Sequence, residues 1–297
     1  MGILECVPNL SEGRRPAALR RLLDAVRVPG VKVLDASSDP DHHRAVFTLA
    51  GQAEALHQGL LGLFEAALET IDLRGHTGVH PRVGAVDVVP FVPLEGGTMD
   101  EAAAAARRLG QAVAERFRVP VFLYGEAHPG HRQLAEIRRG GLHGPCGLAE
   151  RMATDLTDPA DPGWRPDFGP SHPHPTAGAV AIGARFFLIA FNVPLATDDL
   201  ATARHIARRV RESSGGLPAI KALGVPLPSQ GRVQVSMNLV DYRRTSLQAA
   251  LDAVRREARV LGVEVAGTEL IGLLPEAALE GYEGAAALRD RTIESRW

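Results

Sequence analysis

The stretch AVFTLAGQAEALHQGLLGLFEAALETIDLRGHTGVHPRVGAVDVVP, Ala45 to Pro90, decides the fold. Its first six residues, AVFTLA, form a short apolar run of strand length. From Glu54 to Ile71 the apolar residues keep helical spacing, long enough for five turns. The run then breaks at GHTGVHPR, where Gly and Pro punctuate the chain. AVDVVP, Ala85 to Pro90, follows as a second strand.

Working upstream, Val31 to Asp35 reads as a strand and Arg15 to Val26 as a helix, with Leu19, Leu22, Leu23 and Val26 on one face. Ile3 to Val7 is one more strand. The order is β-α-β-β-α-β. Downstream the same order returns. FFLIAFNV, Phe186 to Val193, is a buried strand, and Asp199 to Ser213 a helix. Ile220 to Val225 is a strand, and Val233, Val235, Met237 and Leu239 alternate with polar residues as in a half-buried one. Thr245 and Gln248 match a capping box opening a helix with Leu247, Leu251, Val254, Ala258 and Leu261 on one stripe. Val263 to Leu273 closes the segment as a strand. The fold class expected is therefore α+β: two ferredoxin-like, split βαβ subdomains, residues 1–178 and 179–297, with a ligand cleft or tunnel between them. A helix from Met99 to Phe117, opened by a Thr98/Glu101 capping box, and the strand PVFLY stand between the two repeats. A Gly/Pro-rich stretch, roughly Gly140 to Gly178, shows few periodic signals and reads as a functional loop or linker.

Composition narrows the classes. The 297 residues carry 33 Lys+Arg against 35 Asp+Glu, so no basic excess points to nucleic acid. No apolar run is long enough for a membrane helix, and the N-terminus lacks the pattern of a signal peptide. Cys6 and Cys146 have no metal or redox spacing, which fits a reducing, cytoplasmic setting.

Three clusters hold candidate chemistry. His76 and His80 lie in the Gly/Pro turn, where an imidazole with a pKa near neutrality can move protons. DASSDPDHHRAVF, Asp35 to Phe47, gathers Asp39, Asp41, His42, His43 and Arg44 between two strands; it reads as a charged turn or as an anchor for a cationic amidine. RPDFGPSHPHPTAGAVAIGARFFLIAFN carries His172, His174 and Arg185, and suits either a structured linker or the wall around a flat ligand. Paired histidines invite a metal reading, but no H-E-x-x-H or Cys pair is present, so no metal is expected. Nor is there a phosphate loop, a dinucleotide fingerprint or a nucleophile elbow.

Eight segments in order carry a resemblance: ECVPNLSEGR, DHHRAVFTLAG, GHTGVHPRVGAVDVVPF, VPVFLYGEA, PDFGP, GARFFLIAFNV, QVSMNLVDYRRT and VAGTELIGLLP. Together they resemble the formiminotransferase domain of formiminotransferase-cyclodeaminase and its stand-alone bacterial relatives. The resemblance implies formimino transfer from N-formimino-L-glutamate to tetrahydrofolate, in histidine degradation. It implies His80 as the catalytic residue and Gly169, Pro170, Ser171, His172, Pro173, His174, Pro175, Thr176, Ala177 and Gly178 as the folate-binding segment. For the carboxylate-rich ligands it leaves Arg44, Arg82 and Arg185 as candidate cations, with Asp39 and Asp41 as candidate carboxylates at the site. It also implies a homodimer, and a separate cyclodeaminase to close the product's ring, since no cyclodeaminase domain follows the LIGLLP motif. Mammalian members carry two acids after the second strand, where this chain reads Asp35-Ala36-Ser37. Formyl transfer on the same site, a metal-dependent hydrolase and a non-catalytic folate binder are the competing readings.

Overall fold

A computed structural model describes residues 2–77, 82–153 and 164–297. The chain divides into two compact units, the first ending at Arg185 and the second running Phe186–Trp297.

The first unit carries β1 (Leu4–Cys6), β2 (Asn9–Leu10), α1 (Pro16–Ala25), β3 (Val31–Asp39), β4 (Arg44–Gly51), α2 (Ala53–Thr70), β5 (Val86–Pro93), α3 (Met99–Phe117), β6 (Val121–Gly125), α4 (Leu134–Ile137), α5 (Leu148–Ala153) and β7 (Val180–Ala184). Its first strand comes in two pieces, β1 and β2, which each pair with both β4 and β5; between them Val7 N still donates to the Pro90 carbonyl and Phe47 N to the Pro8 carbonyl. The seven-stranded sheet runs β3-β4-β1/β2-β5-β7-β6. Pairing is antiparallel from β3 to β5 and parallel at β5–β7 and β7–β6.

Register assigns faces, because directly paired residues share a side of a sheet. Cys6 pairs with Leu49, and Leu10 with Ala45; these point toward α1, α2 and α3, into one apolar core with Leu22, Leu56, Leu60, Phe64, Leu109 and Val113. Burying such side chains stabilises by about 1.5–3 kcal/mol each. Residues between them face the other way. Asp39 pairs with Arg44, and Glu5 with Ala50, so this second face carries charge where the first carries none. Part of it is covered by α4 and α5, whose Ile137, Leu148 and Met152 pack with Val83, Val88, Phe122, Tyr124 and Ala181.

Strand β7 follows directly on the Gly140–Gly178 stretch, where the sequence reading placed no strand. Its VAIGA sequence is buried on both faces, hence apolar without alternation. Gly183 is required there: a Cβ would sit 2.5 Å from the Tyr124 carbonyl and 2.6 Å from its ring. Strand β7 belongs to the first sheet, and the first unit runs to Arg185.

The second unit carries β8 (Ile189–Leu195), α6 (Leu200–Val210), β9 (Ile220–Leu227), β10 (Arg232–Leu239), α7 (Leu247–Val260) and β11 (Glu269–Ile271). Its antiparallel sheet runs β11-β8-β10-β9. Numbered within the repeat, that is the order of β5-β1-β4-β3 in the first unit: fourth, first, third, second strand. The mixed helix-and-sheet class with two units agrees with the sequence reading. Phe191, Val193, Val235, Met237, Ile206, Leu251 and Val254 form its core.

Boundaries differ where local chemistry competes. Strand β8 starts at Ile189, since Phe186 stacks on Tyr242 and lies under Arg243 outside the ladder. The last strand keeps only three residues, with one further bridge from Val265 to Leu195. Helix α7 is capped one residue later than expected: Ser246 accepts from Ala249 N, while Thr245 donates to the Pro218 carbonyl at 2.6 Å. The Thr98/Glu101 capping box on α3 is formed in both directions.

Candidate functional site

The turn between β3 and β4 brings one of the sequence clusters into a single network. Asp39 Oδ1 accepts from the backbone N–H groups of Asp41 and His42 at 2.8 and 2.9 Å, which closes the turn. Its Oδ2 takes the His42 ring Nδ1 at 2.8 Å. Burial opposes ionisation of Asp39, but the hydrogen bonds from His42 and Asp41 win and hold its pKa below the usual carboxylate range. The next residue, His43, sits at φ 50°, in the left-handed region that few non-glycine residues adopt.

That conformation aims the His43 ring away from its neighbour. Its Nδ1 lies 3.0 Å from the Thr77 carbonyl and its Nε2 3.4 Å from Glu12. The ring stacks on His76 at 3.8 Å between centroids. Glu12, 1% exposed, also accepts from Arg14 N, Arg15 N and Arg15 Nε. These bonds overcome its desolvation and keep it ionised, with a lowered pKa. Arg82 closes the network. Its guanidinium donates to the carbonyls of His43 and His42 at 3.2 and 3.1 Å and lies 2.8 Å from the His76 ring. Burial first, then the charge of Arg82, pushes the His76 pKa down to about 4, so that ring is neutral near pH 7.

A second carboxylate anchors the other side. Asp87, 3% exposed on β5, accepts from Val83 N at 2.7 Å and Gly84 N at 3.3 Å, and pairs with Arg138 at the end of α4. Leu10, Ser11, Arg44, Arg82 and Asp87 line one small recess. Arg44 is half-buried with its Nε out of contact with solvent. Desolvation and the nearby Arg138 weaken its hold on the proton, and Asp87 opposes them.

The segment Gly169 to Gly178 is strapped to the chain on both sides of residues 78–81. Leu73 N donates to Thr176 O at 2.8 Å, Ala85 N to Ala177 O at 2.9 Å, and Ala179 N to Val83 O at 2.8 Å. His174 turns the segment: its Nδ1 accepts from Thr176 N and Ala177 N at 3.3 and 3.1 Å. The neutral ring therefore carries its proton on Nε2. Burial lowers its pKa. His172 stays exposed.

Of the residues singled out in the sequence, Asp39, Asp41, Arg44 and Arg82 come together, next to His42, His43 and His76. Arg185 stands elsewhere, beside the buried Tyr124 and Cys6, whose pKa values it pulls down against the larger effect of burial. His80 lies outside the described residues. Among the described residues, no group of three or more His, Cys, Asp or Glu is arranged to hold a metal ion. No helix among them is long and apolar enough to cross a membrane. Sequence reasoning missed Glu12, Asp87 and Arg138. The first two had a signal: a lone acid in an apolar strand, AVDVVP, or at a motif's end, ECVPNLSEGR, is a buried charge in need of partners.

The model of the formiminotransferase domain, N-terminal subdomain, matches residues 3–185, and that of the formiminotransferase domain matches residues 190–283. A glutamate formimidoyltransferase of Streptococcus pyogenes is 40% identical over 93% of this chain and 90% of its own length. One from Thermoplasma acidophilum is 42% identical over 94% and 90%. The rat formimidoyltransferase-cyclodeaminase is 39% identical over 93% of this chain, which spans 51% of that longer protein. The chain belongs to the formiminotransferase family.

Proposed function

We propose that this protein is a glutamate formimidoyltransferase: it transfers the formimino group from N-formimino-L-glutamate to tetrahydrofolate, giving 5-formiminotetrahydrofolate and L-glutamate in histidine degradation. The observation that carries this reading is the match of about 40% identity, over nearly the whole length of both chains, to stand-alone relatives of that name. Tetrahydrofolate enters as co-substrate, and no metal is needed for the chemistry. One C–N bond forms at folate N5 and one breaks at the glutamate nitrogen. The attacking nitrogen loses a proton and the departing amine gains one. His80 is the proposed carrier, a role worth ~10²–10⁴-fold for one general acid-base group.

The segment Gly169 to Gly178 is the proposed folate contact. What supports it is the hydrogen bonding of Leu73, Val83 and Ala85 to residues 176–179, at positions that flank His80 in the sequence. Asp39, Asp41, Arg44, Arg82 and Arg185 are the proposed substrate contacts. Four of the five share the network around the β3–β4 turn, and Arg185 is proposed for the second ligand. The protein acts on small molecules, in the cytoplasm, as a homodimer, and hands its product to a separate cyclodeaminase.

The test compares donors. With tetrahydrofolate present and cyclodeaminase added, N-formimino-L-glutamate yields methenyl-folate, read spectroscopically, and N-formyl-L-glutamate yields far less folate product. Equal rates with the formyl donor overturn the formimino assignment.

A further inference from the structure

We propose that His43 is a positioning residue for His80, fastening the β3–β4 turn to the chain on both sides of residues 78–81. This rests on the transferase reading above and deepens it, by naming what holds the proposed proton carrier in place.

His80 stands three residues after Thr77 and two before Arg82. His43 reaches both flanks. Its ring Nδ1 donates to the Thr77 carbonyl at 3.0 Å, and its own carbonyl accepts from the Arg82 guanidinium at 3.2 Å. The His42 carbonyl takes the same guanidinium at 3.1 Å, so the turn holds the second flank through two bonds. On the first flank the His43 ring also stacks on His76, with 3.8 Å between centroids and 20° between planes. A carbonyl only accepts, so the bond to Thr77 requires a proton on Nδ1.

The backbone marks this contact as built. His43 has φ 50°, a region where glycine or asparagine fits better than histidine. Asp39 imposes the turn by accepting from Asp41 N and His42 N. The result is a ring aimed at Thr77, with its side chain only 14% exposed. Two simpler roles fit less well. A solvated loop histidine would not be enclosed by Thr77, Glu12 and His76. Nor does the buried Glu12 need this partner. It already accepts from Arg14 N at 2.8 Å, Arg15 N at 2.9 Å and Arg15 Nε at 2.6 Å, while His43 Nε2 stands farther off at 3.4 Å. What His43 adds is the bond to Thr77.

A general acid-base group acts only within hydrogen-bond reach of the atoms that exchange the proton, and a misplacement of about 1 Å can cost ~10²-fold. Tying Thr77 and Arg82 to one turn limits the conformations open to the four residues between them.

The test compares His43→Ala, His43→Asn and His43→Gln. An Asn amide nitrogen falls where Nδ1 stood, and Asn accepts a left-handed backbone; a Gln amide nitrogen falls nearer the place of Nε2. Turnover of N-formimino-L-glutamate with tetrahydrofolate is measured beside the NMR signal of the His80 ring, in protein labelled with carbon-13 histidine and assigned by its loss in His80→Ala. In the Ala and Gln variants kcat falls about tenfold or more while KM changes less than about threefold, and the His80 signal shifts. In the Asn variant kcat largely recovers and the signal returns toward its wild-type position. A role in stability alone would lower Tm and leave kcat and the His80 signal unmoved. Should His43→Ala fail to fold, the contrast between Asn and Gln carries the test. An active wild type whose folded Ala variant keeps kcat within about threefold, or whose Asn and Gln variants behave alike, overturns the positioning role and leaves the transferase. A wild type that forms no folate product removes the transferase reading; the His80 signal then decides alone, and a signal unmoved in the Ala variant overturns the positioning role as well.

Discussion

Asp87→Asn is the most informative single change in the first unit. The substitution keeps the shape and removes one negative charge. An Asn oxygen still accepts from Val83 N, but its NH2 must then face Arg138, donor against donor. Breaking a buried ion pair by neutralising one partner costs about 3–5 kcal/mol. The Arg138 side chain is 14% exposed and can regain some water, which lowers the expected cost to about 2–4 kcal/mol. For a unit of this size that is a fall in Tm of roughly 5–12 °C. Urea unfolding followed by circular dichroism measures it, with the two units fitted separately because two-state behaviour is not assured for both together. Adding Arg138→Met to Asp87→Asn should restore at least about 1 kcal/mol, since it removes the charge left behind. A single Asp87→Asn variant within about 0.5 kcal/mol of wild type refutes the claim that this carboxylate holds Arg138 in place.

Other outcomes follow from the same structure. His76 should make stability fall in mild acid: its folded pKa is about 4 against the ordinary imidazole value of 6.5, so the unfolded chain takes up the proton first as pH drops through that window. The full shift corresponds to a ceiling of about 3 kcal/mol, and partial exposure reduces it to about 1–2; a flat stability curve between pH 6.5 and 4 contradicts it. The lowered pKa values of Asp39 and Glu12 add stability that is kept above their unfolded values and lost only at lower pH, as those folded values are reached. Gly183→Ala should destabilise the first unit by several kcal/mol, because the new methyl meets the Tyr124 backbone; near-normal thermal unfolding argues against the tight β6–β7 approach. Ser246→Ala should cost about 1 kcal/mol in the second unit through loss of the α7 cap, whereas Thr245→Ala acts through the Pro218 carbonyl and leaves the cap intact.

Much of the fold was legible because periodicity reports burial. The 3.6-residue stripes of α2 and α7 and the alternation of Val233, Val235, Met237 and Leu239 each mark a face that meets a core. Strand β7 was not legible, since a strand buried on both faces does not alternate and its small residues resemble a loop. The cap at Ser246 was misplaced by one residue because both Thr245 and Ser246 can cap, and only the fold shows Thr245 committed to Pro218. At the site, the DPDHHR cluster drew attention by its charge, and the structure ties it to Glu12, His76 and Arg82. Those ties join residues up to about forty apart in sequence through single side chains, and no local pattern encodes such a pairing. Arg138 illustrates this: it stands beside Arg139 in a stretch with few periodic signals, yet at the end of α4 it pairs with the buried Asp87.

The central claim is that His80 carries the protons of formimino transfer. The direct measurement is the rate of 5-formiminotetrahydrofolate formation by His80→Ala against wild type, at saturating N-formimino-L-glutamate and tetrahydrofolate, with folding checked by circular dichroism. The account predicts a loss of kcat of about 10²-fold or more with the Michaelis constants little changed. A kcat within about threefold of wild type in the folded variant contradicts it.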